Sequence, residues 1–429
     1  VRYTTRIIVP PRVKRSSLPG GYGGNPKPQA LGFRKTFGFG DRLGLAATAH
    51  LAVANAHREF APVFAQQSSA ELAAAGRTAR EVIQAAARGV ERAHFRQPWG
   101  ADADGLRTPQ EIERAADAGY SYFTIDGAGH LNPASDDLAP DALAAALGSL
   151  IAEGALPEDW IDHYLDRTIE LPGGHRLKLT REPLERAAAK YVRAIVHCAR
   201  MSETAARANQ GRPYELEVSF ARAGAPMTAL EHLFAGLELE ARGVRIISMG
   251  LRIGEGFEPG IDYRGDLAEF ETSLREHVAV ADFCGPHKLS FAHAADKWSV
   301  YPILTRCCGD ALHLKTSGMS YLEALRVILQ VDAGLFAEIT EFSRVRFAAD
   351  RDSAAERIST NEAEVIEERA GRQMLLAGYG SVMSHARTAD DRAAGACLLE
   401  RLEQFDDLYH AAISRRLERH FAALEPVSV

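Results

Sequence analysis

Alternation and helical periodicity divide the chain into a repeating unit. Short runs over 120–125, 215–220, 244–249, 287–291 and 311–315 are β-like and read as strands. Each gives way to a polar or glycine-rich loop and then to a helical pattern. The spacing predicts helices over about 228–242, 266–284, 319–330 and 332–350. Closer to the start, weaker strands are expected near 37 and over 97–101. An alanine-rich helix is expected through about His57, with helical stretches over 69–75 and 77–94. Thr108-Pro-Gln-Glu111 reads as a helix start, with Thr108 as N-cap, Pro109 at the first helical position and Glu111 closing a capping box. Gly119 should end that helix.

Strand, loop and helix recurring in this order argue for parallel strands joined by crossover helices. With an eighth strand near 381–384, the count reaches that of an α/β, TIM-barrel-like (β/α)8 fold. A doubly wound sheet shares the repeat, but no G-x-G-x-x-G follows the first strand, and the barrel is preferred. Residues 1–35, rich in Pro, Gly and Arg, read as an irregular arm that is ordered only if it packs on something. The barrel is expected over 36–386, with an inserted helical and hairpin segment over about 138–206. Within it, Pro172-Gly-Gly174 is the turn between two alternating runs. Residues 387–429 are expected to supply a C-terminal helix packing on the barrel. Its stripe of Leu398, Leu399, Leu402, Phe405, Leu408 and Tyr409 marks core or a contact between copies in a homo-oligomer.

Composition narrows the function classes. The chain has 429 residues, 46% hydrophobic and 25% charged, as globular proteins do. A net charge of −7 makes nucleic acid a poor partner. No apolar run approaches the ~20 residues of a membrane span. Five cysteines with no CxxC spacing suit a reduced, cytoplasmic protein. There is no P-loop, no nucleotide-cofactor fingerprint, no H-E-x-x-H and no G-x-S-x-G.

In a parallel barrel, chemistry gathers where strands end. Five places satisfy that filter. They are Asp102 and Asp104, Asp126, Glu217 with Ser219, the group His293, Asp296 and Lys297, and His313 with Lys315. Each has a plainer reading. The two aspartates of 102–104 could cap a turn, His313 could be a hydrogen-bonded interior histidine, and Asp296-Lys297 could cap a helix. Glu217 is harder to dismiss, since a buried carboxylate needs a cation, a donor set or a metal, and Lys315 could be that cation. Ionisable groups at five strand ends are more than a structural barrel requires.

The motifs FGFGDRLGL (37–45), GADAD (100–104), YFTID (122–126), EVS (217–219), ALEHL (229–233), GVRIISMGLRIGEGFEPGIDYRGDL (243–267), DKWSVYP (296–302) and HLKTSGMSYLEALRV (313–327) resemble the tagaturonate epimerase family. The resemblance implies a TIM-barrel-like fold and divalent-metal-dependent C4 epimerisation of a keto-hexuronate, or of a neutral ketose in some relatives. It makes Asp104, Glu217 and Lys315 the catalytic candidates. Arg42, Asp102, Lys297 and Ser317 become the substrate-binding candidates. Asp126, Glu217, His293 and His313 are the candidate ligands of a divalent ion such as Zn or Mn. The chain departs from the pattern where the resemblance implies histidines, at Gly105 and Ala292. It departs again at Ala221 and Arg222, where acidic residues are implied, and after Asp126, where a longer polar turn gives way to Gly127-Ala-Gly129. Three readings follow. One is a keto-sugar or keto-sugar-acid epimerase or isomerase with a rearranged metal site. A second is a diverged, metal-free member with other chemistry on a sugar-derived substrate. The third is a non-catalytic sugar-binding or partner-binding relative.

Overall fold

The computed structural model describes residues 27–221, 225–349 and 358–425. Most of the expected arm, residues 1–26, and Arg222 lie outside the described residues. Eight parallel strands close into one barrel in sequential order: β1 (Thr36–Gly38), β2 (Ala61–Ser68), β3 (Gly100–Leu106), β4 (Tyr122–Asp126), β5 (Glu215–Ser219), β6 (Ser248–Gly250), β7 (Lys288–Phe291) and β8 (Leu312–Lys315). β8 pairs with β1, Thr36 lying opposite His313 and Gly38 opposite Lys315. Helices cover the outside, as the parallel order demands.

The eighth strand is β2, not the segment near 381–384, which lies in the helix Arg369–Ser384. All eight residues of β2 are buried, so the strand shows no alternation between a core face and a wet one. The expected 97–101 strand is shifted: β3 begins at Gly100, and both Asp102 and Asp104 are inside it. The C-terminal stripe is carried by two helices, Ala394–Gln404 and Asp406–Leu424, with the break at Phe405. The helix Pro109–Ala118 has the capping box at Thr108 and ends on Gly119 in the left-handed region at φ 95°. The segment between β4 and β5 holds the helices Pro140–Ala152 and Arg181–Asn209 and the antiparallel hairpin Thr168–Glu170 with Arg176–Lys178.

Three contacts fix the ends of the barrel. At the N-terminal end, the backbone N–H of Gly32 donates to Glu215 at 2.5 Å, so chain before β1 crosses the barrel floor. At the C-terminal end, the turn after β1 lies against the loop after β8. A Cβ on Gly40 would fall 2.1 Å from the Ser317 Cα, so only glycine permits that approach. Asp296, in the loop after β7, pairs with Arg372 and, at 2.7 Å, with Arg416 of the last helix. The C-terminal helices thereby hold a loop at the barrel mouth.

A polar seam runs through the helical layer. His277 Nε2 lies 3.0 Å from the Met227 carbonyl, His277 Nδ1 3.0 Å from His232 Nδ1, and His232 Nε2 2.9 Å from His287 Nε2. Since a carbonyl only accepts, one run of donors fits: His277 to Met227, His232 to His277, His287 to His232. All three imidazoles are then neutral, and burial holds each well below its ordinary value, His277 and His287 at about 4.

Candidate functional site

Side chains with period 2 point alternately into and out of the barrel. The inward set is unusually polar. Thr124 pairs with Glu217 in the sheet register, and Glu217 with Ser248. Lys315 ends β8 and reaches into this layer. Its Nζ lies 2.9 Å from Asp102 Oδ2, 2.9 Å from Asp104 Oδ1 and 2.9 Å from Glu217 Oε1, and it donates to Thr124 Oγ1 at 2.8 Å. Thr124 in turn donates to Asp102 Oδ1 at 2.8 Å. The other Glu217 oxygen accepts from Tyr122 OH at 2.8 Å and Ser248 Oγ at 2.9 Å. Asp102, Glu217 and Lys315 are buried, whereas the Asp104 side chain keeps 25% of its surface exposed.

The electrostatics follow from this count of charges. Burial alone would lower the Lys315 ammonium, but Asp102, Asp104 and Glu217 outweigh it and hold it well above its ordinary value. Burial, with Asp104 and Glu217 adding to it against the pull of Lys315, pushes the Asp102 carboxyl up to about 7. Three carboxylates crowd one ammonium, and that crowding together with burial makes Asp102 take up a proton more readily than an ordinary carboxylate.

The remaining candidates lie elsewhere. His313 sits deeper in the barrel, its Nδ1 2.7 Å from Thr36 Oγ1 and its ring 5.2 Å from that of Tyr122. Burial, then Lys315 and Lys288, keep it far below its ordinary value, so it is neutral. Asp126 Oδ2 takes a two-pronged contact from Arg107, at 3.0 and 2.8 Å, and its Oδ1 accepts from the Ala128 N–H. Lys297 spends its ammonium on the carbonyls of Glu258, Ile261 and Ala295, stapling the loop after β6 to the loop after β7. Asp102 likewise has its partners inside the cluster. His293, with φ 55°, and Arg42 line a cavity of about 440 Å³ together with Glu258, Thr316 and Gln373. Arg42 also pairs with Glu71 at 2.6 Å. Ser317 is half-buried beside Thr316. Thr316, which lines the cavity, follows Lys315 in the chain and donates its hydroxyl to the Gly38 carbonyl.

The structure thus brings Asp102, Asp104, Glu217 and Lys315 together and does not gather Asp126, Glu217, His293 and His313. The donors expected for a divalent ion do not fit one. Asp126 is engaged by a guanidinium and Glu217 by an ammonium and two hydroxyls. His313 keeps a buried Nε2 without a hydrogen-bond partner among the described residues but feels the charges of Lys315 and Lys288, and His293 lies apart on the cavity wall. Among the described residues, no three His, Cys, Asp or Glu side chains are grouped so as to hold a metal ion. Sequence reasoning missed Tyr122, Thr124 and Ser248. For the first two a signal existed, since they alternate with Asp126 on the same strand and share its inward face.

Comparison with known proteins agrees with this architecture. Residues 25–424 match the family model described as tagaturonate epimerase, UxaE. A tagaturonate/fructuronate epimerase from Thermotoga maritima is 33% identical over 412 residues, covering 93% of this chain and 82% of that protein. The native crystal structure of the fructuronate-tagaturonate epimerase UxaE from Cohnella laeviribosi superposes with a TM-score of 0.85 at 29% identity, over 93% of this chain and 83% of the other. A glycerol complex of the same Cohnella enzyme gives 0.85 at 28% identity, with the same coverage. No helix of the described residues is long and apolar enough to cross a membrane. Fold, motif order and full-length similarity together show that the chain belongs to the tagaturonate epimerase family and is a sugar-acid epimerase by class.

Proposed function

We propose that this chain interconverts keto-hexuronates of the tagaturonate and fructuronate type by inverting C4 at the C-terminal end of the barrel, with the charged cluster as its acid–base centre. The observation that carries the reading is the convergence of Asp102, Asp104 and Glu217 on Lys315. Inverting C4, which lies two carbons from the ketone, needs a carboxylate that takes the C4 hydroxyl proton as the C3–C4 bond breaks to an aldehyde and an enediolate, and returns it to the C4 oxygen once that bond has re-formed on the other face of the aldehyde. It also needs a positive group near the oxyanion formed in between. Asp104, the exposed member, is the group for the proton. Lys315 supplies the positive charge, and its burial makes that charge stronger than it would be in water. Tyr122 and Ser248 fix Glu217, which in turn positions Lys315. Asp102 stores the exchangeable proton of the cluster.

The cavity of about 440 Å³ has room for a six-carbon sugar acid. Arg42 is the guanidinium placed to meet the substrate carboxylate, and Ser317 stands at the rim for its hydroxyls. The five free cysteines fit a reducing, cytoplasmic compartment. The test is carbon NMR of tagaturonate incubated with the purified chain. Growth of fructuronate signals to a steady ratio supports the reading. Turnover of neutral tagatose alone moves the substrate class, and no turnover of either ends the proposal.

A further inference from the structure

Beyond the proton-transfer step, three regions bear on function: the histidine seam, the Asp296 ion cluster and the position of Lys315 within the charged cluster. The seam uses each donor internally, and the Asp296 cluster is a staple between the last helix and a loop. Lys315 carries an inference further, because it stands where a catalytic cation would have to stand.

We infer that in this chain the Lys315 ammonium is the resident cation of the active centre, and that turnover needs no divalent metal. The inference rests on the proposed epimerase reading for its activity arm only. Three observations carry it. The carboxylate oxygens that converge on Lys315 do so at 2.9 Å each, with a threonine hydroxyl at 2.8 Å. These four oxygens enclose the Nζ, so the point on which the carboxylates converge is filled by the ammonium. The second observation is that two of the remaining donors are committed at least in part, Asp126 to Arg107 and His313 to Thr36 through Nδ1, which leaves His313 Nε2 without a hydrogen-bond partner among the described residues, while His293 lies apart on the cavity wall. The third is the crowd of positive charge inside the barrel. Lys288 lies 5.7 Å from the centre of the Tyr122 ring and Lys315 lies 6.0 Å from it, so a divalent ion near His313 would meet two ammoniums. An ammonium in this position does what a metal would do electrostatically. It neutralises part of the carboxylate charge and stabilises an alkoxide formed nearby through its field, with no bond to carbon and no change of oxidation state.

The experiment uses the full chain, grown with added Mn and Zn, and has two readouts. Metal content by mass spectrometry is measured first. Turnover of tagaturonate is then measured before and after exhaustive dialysis against EDTA, and again with Mn or Zn added back. The inference expects less than a tenth of an equivalent of metal per chain, turnover within twofold after chelation, and less than a twofold gain on adding metal. About one equivalent per chain would overturn it, as would a tenfold loss on chelation restored by metal. If the chain turns over nothing with or without metal, the epimerase reading fails and the metal content alone decides this one. Lys315→Arg, which keeps the charge, should retain at least ten times the turnover of Lys315→Met. Equal turnover of the two variants in the folded state, checked by circular dichroism, would also overturn the inference.

Discussion

Removing the Lys315 charge gives the most quantitative check of the charged cluster. Lys315→Met is close in length and leaves Asp102, Asp104 and Glu217 converging on a space without a cation. Breaking a buried ion pair by deleting one partner costs about 3–5 kcal/mol. The same figure follows from protonation. The variant can relieve its repulsion by taking up one more proton on a carboxylate. For a group with an ordinary value near 4, that costs about 1.4 kcal/mol for each pH unit above it, hence about 4 kcal/mol at pH 7. At pH 5 the same step costs only about 1.4 kcal/mol. The carboxyls of the variant have folded values raised above the unfolded ones, so their stability is fully present below the unfolded value and is lost as pH rises. The gap between wild type and variant should therefore shrink from about 4 kcal/mol at pH 7 to about 1.4 at pH 5. Urea unfolding followed by circular dichroism, in EDTA, at pH 5, 6 and 7 measures it. A gap below about 1 kcal/mol at pH 7, or one that does not change with pH, would refute the account of Lys315 as the neutralising charge.

Other outcomes follow from the same structure. Buried His50, His277, His287 and His420 are held at about 4 by burial, and His232 is likewise pushed well below its ordinary value. Since the unfolded chain protonates them near 6.5, stability should fall as pH drops from 6.5 toward 4, by up to about 1.4 kcal/mol per unit for each imidazole. Asp102, Glu215 and Glu323 are raised and act in the opposite sense, but His197 and His313 join the five imidazoles, so a melting temperature that rises on acidification to pH 5 would contradict the burial of neutral histidines. Gly40→Ala should cost about 1–3 kcal/mol and reduce turnover, because its Cβ would drive Ser317 away from the mouth. An unchanged melting curve would mean the two loops do not touch as described. Arg416→Ala leaves buried Asp296 with Arg372 and His420. A loss of about 2–4 kcal/mol is expected in thermal unfolding, and a loss within 0.5 kcal/mol would show that the last helix does not hold the loop after β7.

Much of the fold is written in periodicity, and the exceptions have physical causes. Strands with β-like composition, β4, β5, β7 and β8, stand out in the sequence. β2 does not, because Ala61–Ser68 is buried along its whole length and carries glutamines at Gln66 and Gln67 inside the barrel. Ser381-Val-Met-Ser384 has strand-like composition but lies at the end of a helix, where tertiary packing of Val382 overrides local preference. In the site, the pairs Asp102 and Asp104, and His313 and Lys315, were legible because period 2 puts each pair on one face. Which strand levels meet across a barrel depends on its stagger, which no single strand encodes. That is why His313 lies beneath the cluster rather than in it. That Lys288 and Glu215 feel each other's charge at the floor was hidden for the same reason. The role of Lys297 was hidden because its partners are backbone carbonyls.

The central claim is that the proton moves through Asp104 at the edge of this cluster. Asp104→Asn keeps the shape and an oxygen for Lys315 but cannot take a proton. Its kcat for tagaturonate, measured by NMR at pH 7, should fall about 10²–10⁴-fold, with unfolding free energy within about 1 kcal/mol of wild type. An Asp104→Asn protein that converts tagaturonate at the wild-type rate would contradict the claim.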